Sequence, residues 1–325
     1  MSKRVLVCGG GGFIGSHLVR KLKTEQDVRV TAVDLKKSDY ITGYADEFRI
    51  RDLRREESVE DLFRNKTYDE VYQLAADMGG VEYINSGQHD PDVMNNSMQI
   101  NLNISRRYES IGKLFFSSSA CVYPYTNQLD PNNPICSEDT AYPANPDTEY
   151  GWEKLFCERM YLAYNRNYGL DIRIARFHTI YGEEGSWTGG KEKAPAAICR
   201  KIAQTATGVI DLFGDGKQTR TYLYIDDCLD AVLKFMDSPH LGPINIGSEE
   251  LISIDSLALL IASVSGRQLQ IKLNHVDGPT GVRGRRSDNK LVRELLGWEP
   301  RTPLIEGMER TYKWIEKQSS MQVRP

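Results

Sequence analysis

RVLVCGGGGFIGSHLVRKLK, residues 4–23, carries the decision about fold in this 325-residue chain. The opening apolar run has the length of a buried strand, and glycines follow it at once. Beyond them Phe13, Ile14, Leu18, Val19 and Leu22 fall on one face of a helix. Gly9, Gly12 and Gly15 therefore form G-x-x-G-x-x-G between a strand and a helix. Glycine permits the tight turn and lets the backbone approach a pyrophosphate, to which the helix N-terminus offers unpaired N–H groups.

Further strands are expected at 28–33 (VRVTAV), 70–76 (EVYQLAA), 113–119 (KLFFSSS) and 171–177 (DIRIARF), with one more just before Asp52. Helices fill the gaps, notably residues 92–110 and about 146–167. Strands alternating with helices imply a parallel sheet covered on both faces, the Rossmann-type doubly wound α/β fold. Asp34 ends the second strand nineteen residues after Gly15, where a carboxylate takes both ribose hydroxyls. It would repel a 2′-phosphate, so NAD is favoured over NADP, although Lys36 and Lys37 stand close behind. Phe13, Ile14, Asp52, Leu53 and Ala75 are expected around the same dinucleotide, Asp52 toward the adenine.

After residue 178 the rhythm breaks. Residues 178–195 are glycine-rich and polar and read as a loop. APAAICRKIAQTA reads as a helix, FGDGKQTRTYLYIDD as a turn and strand, SIDSLALLIASVSG as a capped helix, and VRGRRSDNKLVRELLGW as a basic loop entering a helix. The expected division is an NAD-binding domain of residues 1–177 plus returning segments about 221–248, and a smaller C-terminal substrate-binding domain of 178–220 and 249–318. Residues 319–325 are expected to fray.

Composition is that of an ordinary globular protein, 40% hydrophobic and 26% charged, and the formal charge of −4 argues against a nucleic-acid partner. No stretch approaches the ~20 apolar residues of a membrane span, and MSKRVLVCGGGG lacks the long apolar core of a signal peptide. The six cysteines show no C-x-x-C spacing, so reduced thiols in a cytoplasmic protein are expected, and no metal.

Two later segments carry chemistry. SSSACVYP (117–124) closes the strand begun by KLFF, and YGWEK (150–154) lies on the next long helix. Tyr150 and Lys154 are four apart, hence one above the other on a helix face. A phenol with pKa ~10 is a poor base near neutrality, but an adjacent ammonium and a positive nicotinamide ring both stabilise its phenolate. Tyr150 can then take a hydroxyl proton while a hydride leaves for NAD.

GGGGFIGS, SSSACVYP and YGWEK, in this order, resemble the extended short-chain dehydrogenase/reductase family, the nucleotide-sugar epimerases and dehydratases. LAADMGGVEYI, RFHTIYGEEGSWTGGKEKAPAAICRK, GDGKQTRTYLYIDDC and GPTGVRGRRSDN are similar, more narrowly, to its GDP-mannose 3,5-epimerase branch. The likeness runs from about residue 4 to 318. It implies oxidation of the sugar at C4, inversion at C5 and C3 through enolates, and reduction by the same NADH. It also implies a GDP-sugar substrate and a homodimer formed through the two long helices.

By the same resemblance, Ser119 hydrogen-bonds the reacting oxygen, Lys154 holds the nicotinamide ribose, and Cys121 and Lys193 are the acid–base pair at C3 and C5. A thiol with pKa ~8.5 and a desolvated lysine can both be poised near neutrality. Which of the two removes a proton and which returns it stays open. Arg200, Lys201, Lys217, Arg220, Arg283, Arg285 and Arg286 supply cations suited to a diphosphate. The resemblance favours Lys201, Gln218, Arg220 and Arg285 among the binding residues, with Gly79, Thr179, Glu192 and Ala194 nearer the sugar.

Alternatives divide at one position. A 4,6-dehydratase would carry an acidic pair after the serine, where this chain has Ala120 and Cys121. A simple 4-epimerase remains the second reading, and a non-catalytic nucleotide-binding regulator the third, although the latter predicts loss of Ser119, Tyr150 or Lys154.

Overall fold

The computed structural model describes residues 2–268 and 270–322. The chain begins β1 (Lys3–Cys8), α1 (Phe13–Glu25), β2 (Val28–Asp34), β3 (Glu47–Ile50), α2 (Glu56–Phe63), β4 (Tyr68–Gln73) and α3 (Val81–Ile84). It continues α4 (Asp90–Ser105), β5 (Ile111–Ser119), α5 (Glu149–Tyr168), β6 (Asp171–Phe177), β7 (Thr179–Tyr181), α6 (Ala194–Gln204) and β8 (Val209–Phe213). Next come β9 (Thr219–Arg220), β10 (Tyr222–Tyr224), α7 (Ile225–Asp237), β11 (Ile244–Ile246), β12 (Ile252–Ser253) and α8 (Ile254–Val264). The described part closes with β13 (Lys272–Val276), β14 (Gly284–Arg285), α9 (Lys290–Leu296) and α10 (Leu304–Gln322).

Seven strands form one sheet in the order β11-β6-β5-β4-β1-β2-β3, every neighbouring pair parallel. Alternation along β1 fills both layers. Val5 and Val7 join a core with α1, α7 and the later helices, while Leu6 and Cys8 face the core shared with α2, α4 and α5. Strand order reverses between β1 and β4, so a crevice opens at their carboxyl ends, where such folds bind ligands. Smaller sheets pair as β10-β7, β12-β9-β14 and β13-β8.

Local sequence explains the elements that aim the site. Thr148 caps α5 by accepting from the Gly151 N–H at 3.2 Å, and Gly169, at φ +72°, ends it in the left-handed conformation. Ser253 caps α8 through the Ser256 N–H at 3.1 Å.

Three expectations change. The strand expected over 70–76 runs instead over Tyr68–Gln73, and the Leu74 N–H makes its last bond to β1, at the Cys8 carbonyl. The stretch read as a loop over 178–195 begins with β7, which pairs with β10. Residues 319–322 are helical rather than frayed: the stripe Met308, Tyr312, Ile315 continues to buried Ser319, which faces Gln204. Residues 323–325 lie outside the described residues. Among the described residues no helix is long and apolar enough to cross a membrane.

Candidate active site

A cavity of about 560 Å³ opens over the carboxyl ends of β1, β2 and β4. Gly9, Gly12, Phe13, Ile14, Gly15, Asp34, Asp52, Leu53 and Ala75 all line it. Gly9 takes φ +82°, and a Cβ on Gly15 would collide with the Gly9 carbonyl oxygen, so α1 starts hard against the turn. No side chain caps α1, which leaves first-turn N–H groups to a phosphate. Asp34 accepts from the Gly11 N–H at 3.0 Å and the Leu35 N–H at 2.6 Å, fixing its carboxylate at the rim. This cradle fits a dinucleotide with an unphosphorylated ribose. Asp52 is already engaged: Arg54 pairs with it at 2.8 Å and pulls its carboxyl below the usual range.

Tyr150 and Lys154 project from α5 beneath the end of β5. Both are buried, and the Lys154 ammonium lies 5.6 Å from the Tyr150 ring and 4.9 Å from that of Phe116. Glu153, wholly buried, approaches the same ammonium at 3.9 Å. Burial pushes the Tyr150 phenol well above its ordinary value, and the charges of Cys121 and Glu153 push the same way. A hydrogen bond with Ser119 and the Arg285 guanidinium oppose this and are outweighed. Among the protein's own groups, desolvation dominates.

Ser119 ends β5, and its hydroxyl accepts from the Cys121 N–H at 3.2 Å. Cys121 follows in a single 3-10 turn, Ala120–Val122. A Cβ on Gly151 would collide with the Cys121 carbonyl, so this glycine lets α5 bring Tyr150 against the turn. Cys121, Tyr150 and Val93 pack together with Met78, Tyr83 and Ile84. Arg285 points one N–H at the Cys121 sulfur, 3.0 Å away, and others at Gln128 (2.6 Å) and Asp147 (3.3 Å). Burial works against the Arg285 charge, but Cys121 and Asp147 outweigh it and raise its pKa. Lys193, immediately before α6, also lines the dinucleotide cavity. Burial lowers its pKa, and the Cys121 sulfur partly restores it.

The remaining expected residues lie on the following elements. Gly79 lines the cavity, its Cα turned against the Tyr83 ring. Glu192 is held by Arg200 at 2.8 Å and by the Gly190 N–H at 2.7 Å. Thr179 opens β7, next to Tyr222, and Ala194 opens α6. Arg220 donates to the Thr219 and Thr280 carbonyls, and burial followed by Arg285 lowers it to about 10. The Gln218 amide donates to the Phe213 carbonyl and leaves its buried oxygen unpaired. Lys201 turns to the Asp211 carbonyl at 2.6 Å.

Several participants escaped the sequence reading. Asp147 and Gln128 orient Arg285, yet lie 138 and 157 residues from it in the chain. His17, on α1, fastens the loop after β7: its ring bonds the Glu183 carbonyl at 3.1 Å, while Arg20 donates to its other nitrogen at 3.0 Å. Burial, then Arg20, lowers His17 to about 4. Nothing in local pattern marks these residues.

Residues 5–247 match the NAD dependent epimerase/dehydratase family. The chain is 44% identical to the GDP-mannose 3,5-epimerase of Arabidopsis thaliana and 43% identical to GDP-mannose 3,5-epimerase 1 of Oryza sativa subsp. indica. Each alignment covers 97% of this chain and 82% of the relative. In structure it resembles the UDP-glucose 4-epimerase of Thermotoga maritima, solved with UDP-glucose, at a TM-score of 0.84 and 26% identity over 97% of this chain and 99% of that one. The UDP-glucose 4-epimerase of Thermus thermophilus, in complex with NAD, superposes with a TM-score of 0.81 at 25% identity over 96% and 98%.

Proposed function

The chain belongs to the NAD-dependent epimerase/dehydratase family, and from that premise we propose that it converts GDP-mannose to its C3 and C5 epimers through a 4-keto intermediate. NAD is the cofactor, and the chemistry it supplies is acceptance of the C4 hydride and its later return. The observation that carries the two-centre reading is Cys121: a thiol beside Tyr150, in a turn without a carboxylate, where an elimination would need one.

Tyr150, as phenolate, takes the C4 hydroxyl proton and gives it back at the end. Burial raises its pKa, and the positive charge of a bound nicotinamide would oppose that shift. Once C4 is a carbonyl, the C3 and C5 hydrogens become acidic. One member of the Cys121–Lys193 pair removes each proton to form an enolate, and the other delivers a proton to the opposite face. A lysine lowered by burial suits either task. Arg285, touching sulfur, would also serve a diphosphate, with Arg220 as its register partner between β14 and β9.

The dinucleotide domain comprises residues 1–177 with about 221–248, and the sugar nucleotide is held by 178–220 and 249–318. The protein is cytoplasmic and works as a homodimer. Trp152 and Phe156, one turn apart and exposed on α5, supply an apolar face for a second copy. The deciding experiment is incubation with GDP-mannose in heavy water, locating deuterium by NMR. Label at C3 and C5 supports the proposal; turnover with neither position labelled reduces the protein to a one-centre 4-epimerase.

A further inference from the structure

We propose that Gly80 and Lys191 form a clasp that sets where Lys193 stands relative to Cys121, making both positioning residues for proton exchange at C3 and C5. The inference rests on the two-centre reading above. Lys193 comes from the loop between β7 and α6, and a loop lysine needs an external reference to serve one ring face repeatedly.

That reference is the segment 77–84. On one side its Met78, Tyr83 and Ile84 pack with Cys121 and Tyr150. On the other its Gly80 N–H donates to the Lys191 carbonyl at 3.0 Å, and a Cβ on Gly80 would collide with the Glu192 carbonyl oxygen. The same virtual atom lies 3.5 Å from the Lys193 Cα. The separation of thiol and amine is therefore spanned by one short piece of chain.

The Lys191 side chain reaches back over this contact. Its ammonium sits 3.1 Å from Asp77 and 3.8 Å above the Tyr83 ring. Asp77 is itself fixed by the Tyr83 hydroxyl at 3.0 Å and by Asn96 at 2.9 Å, the latter on α4, which packs against α5. The Lys191 side chain is 48% exposed, so the ion pair adds little to folding stability. Position is another matter, because a shift near 1 Å can cost roughly 100-fold in rate. The clasp should matter to exchange far more than to folding.

Lys191→Met and Gly80→Ala test this, with Lys191→Arg as the conservative control. Three quantities are read: deuterium entering C3 and C5 in heavy water, NADH formed on mixing with GDP-mannose, and melting temperature. The proposal expects deuterium entry to fall roughly 10- to 100-fold in Lys191→Met, with NADH formation within about threefold of the parent and recovery of exchange in Lys191→Arg. Gly80→Ala, which moves backbone, should lose at least as much exchange. Undiminished exchange in Lys191→Met overturns the clasp, and so does a parallel fall of exchange, NADH formation and melting temperature. If the parent enzyme itself takes up no deuterium, the two-centre reading fails and the clasp falls with it.

Discussion

The dinucleotide pocket and the proposed sugar-facing residues are built differently. The pocket takes its glycine turn, its helix start and Asp34 from a single strand–helix–strand passage. The sugar-facing set draws Cys121 from the end of β5, Lys193 from the loop before α6, and Arg285 from β14. A pocket made of neighbours in sequence is held by the fold itself. A set drawn from remote segments needs fasteners, and these are what the structure adds: Asp147 and Gln128 on Arg285, Gly151 beneath Cys121. Substitutions should therefore act broadly on one side and selectively on the other.

Tyr150→Phe should have the largest effect. It keeps the packing and deletes the proton acceptor, so NADH formation with GDP-mannose should fall by about 10²–10⁴-fold, and deuterium exchange must fall with it. Exchange surviving without C4 oxidation would break the link between the two regions. Cys121→Ala should separate them: deuterium entry at C3 and C5 falls about 10²-fold or more while NADH still forms. Loss of both signals would make the thiol a packing residue.

Gly15→Ala acts on the pocket alone. The new methyl must displace the Gly9 carbonyl, at a cost of about 1–3 kcal/mol seen as a lowered melting temperature, with weaker NAD binding by calorimetry. Unchanged NAD affinity would show that the turn does not approach the pyrophosphate.

The effect that is smallest at neutral pH, and grows only in acid, concerns His17. The folded chain keeps His17 neutral down to about pH 4, whereas the unfolded chain protonates it near 6.5. Its contribution is thus intact above about pH 6.5 and is lost as pH falls toward 4, at up to about 1.4 kcal/mol per pH unit. His17→Gln should flatten that stretch of the urea-stability profile. An unaltered slope would mean that the histidine is solvated.

How far the sequence could be read follows the same division. The alternating strands and helices, the glycine turn and Asp34 were legible because each depends on spacing within one element or between neighbours. Cys121 and Lys193 carry no local signature; only resemblance singled them out. Arg285 could be taken for a phosphate clamp, but its contact with sulfur is set by tertiary packing. Spacing reveals Lys154 beside Tyr150 but hides the depth of burial, which raises the phenol's pKa among the protein's own groups. The helical end of the chain was missed for a related reason: what orders residues 319–322 is their dock against α6, not their own propensity.

The stretch following β7 belongs to both groups at once. Gly182, Gly185 and Ser186 roof the nucleotide chamber, the two glycines lying against Phe13, and a few residues on the same stretch delivers the amine. Lifting that roof to admit or release a dinucleotide would unseat Lys193. One stretch of chain therefore serves the proposed seat of the dinucleotide and the proposed place of the amine together.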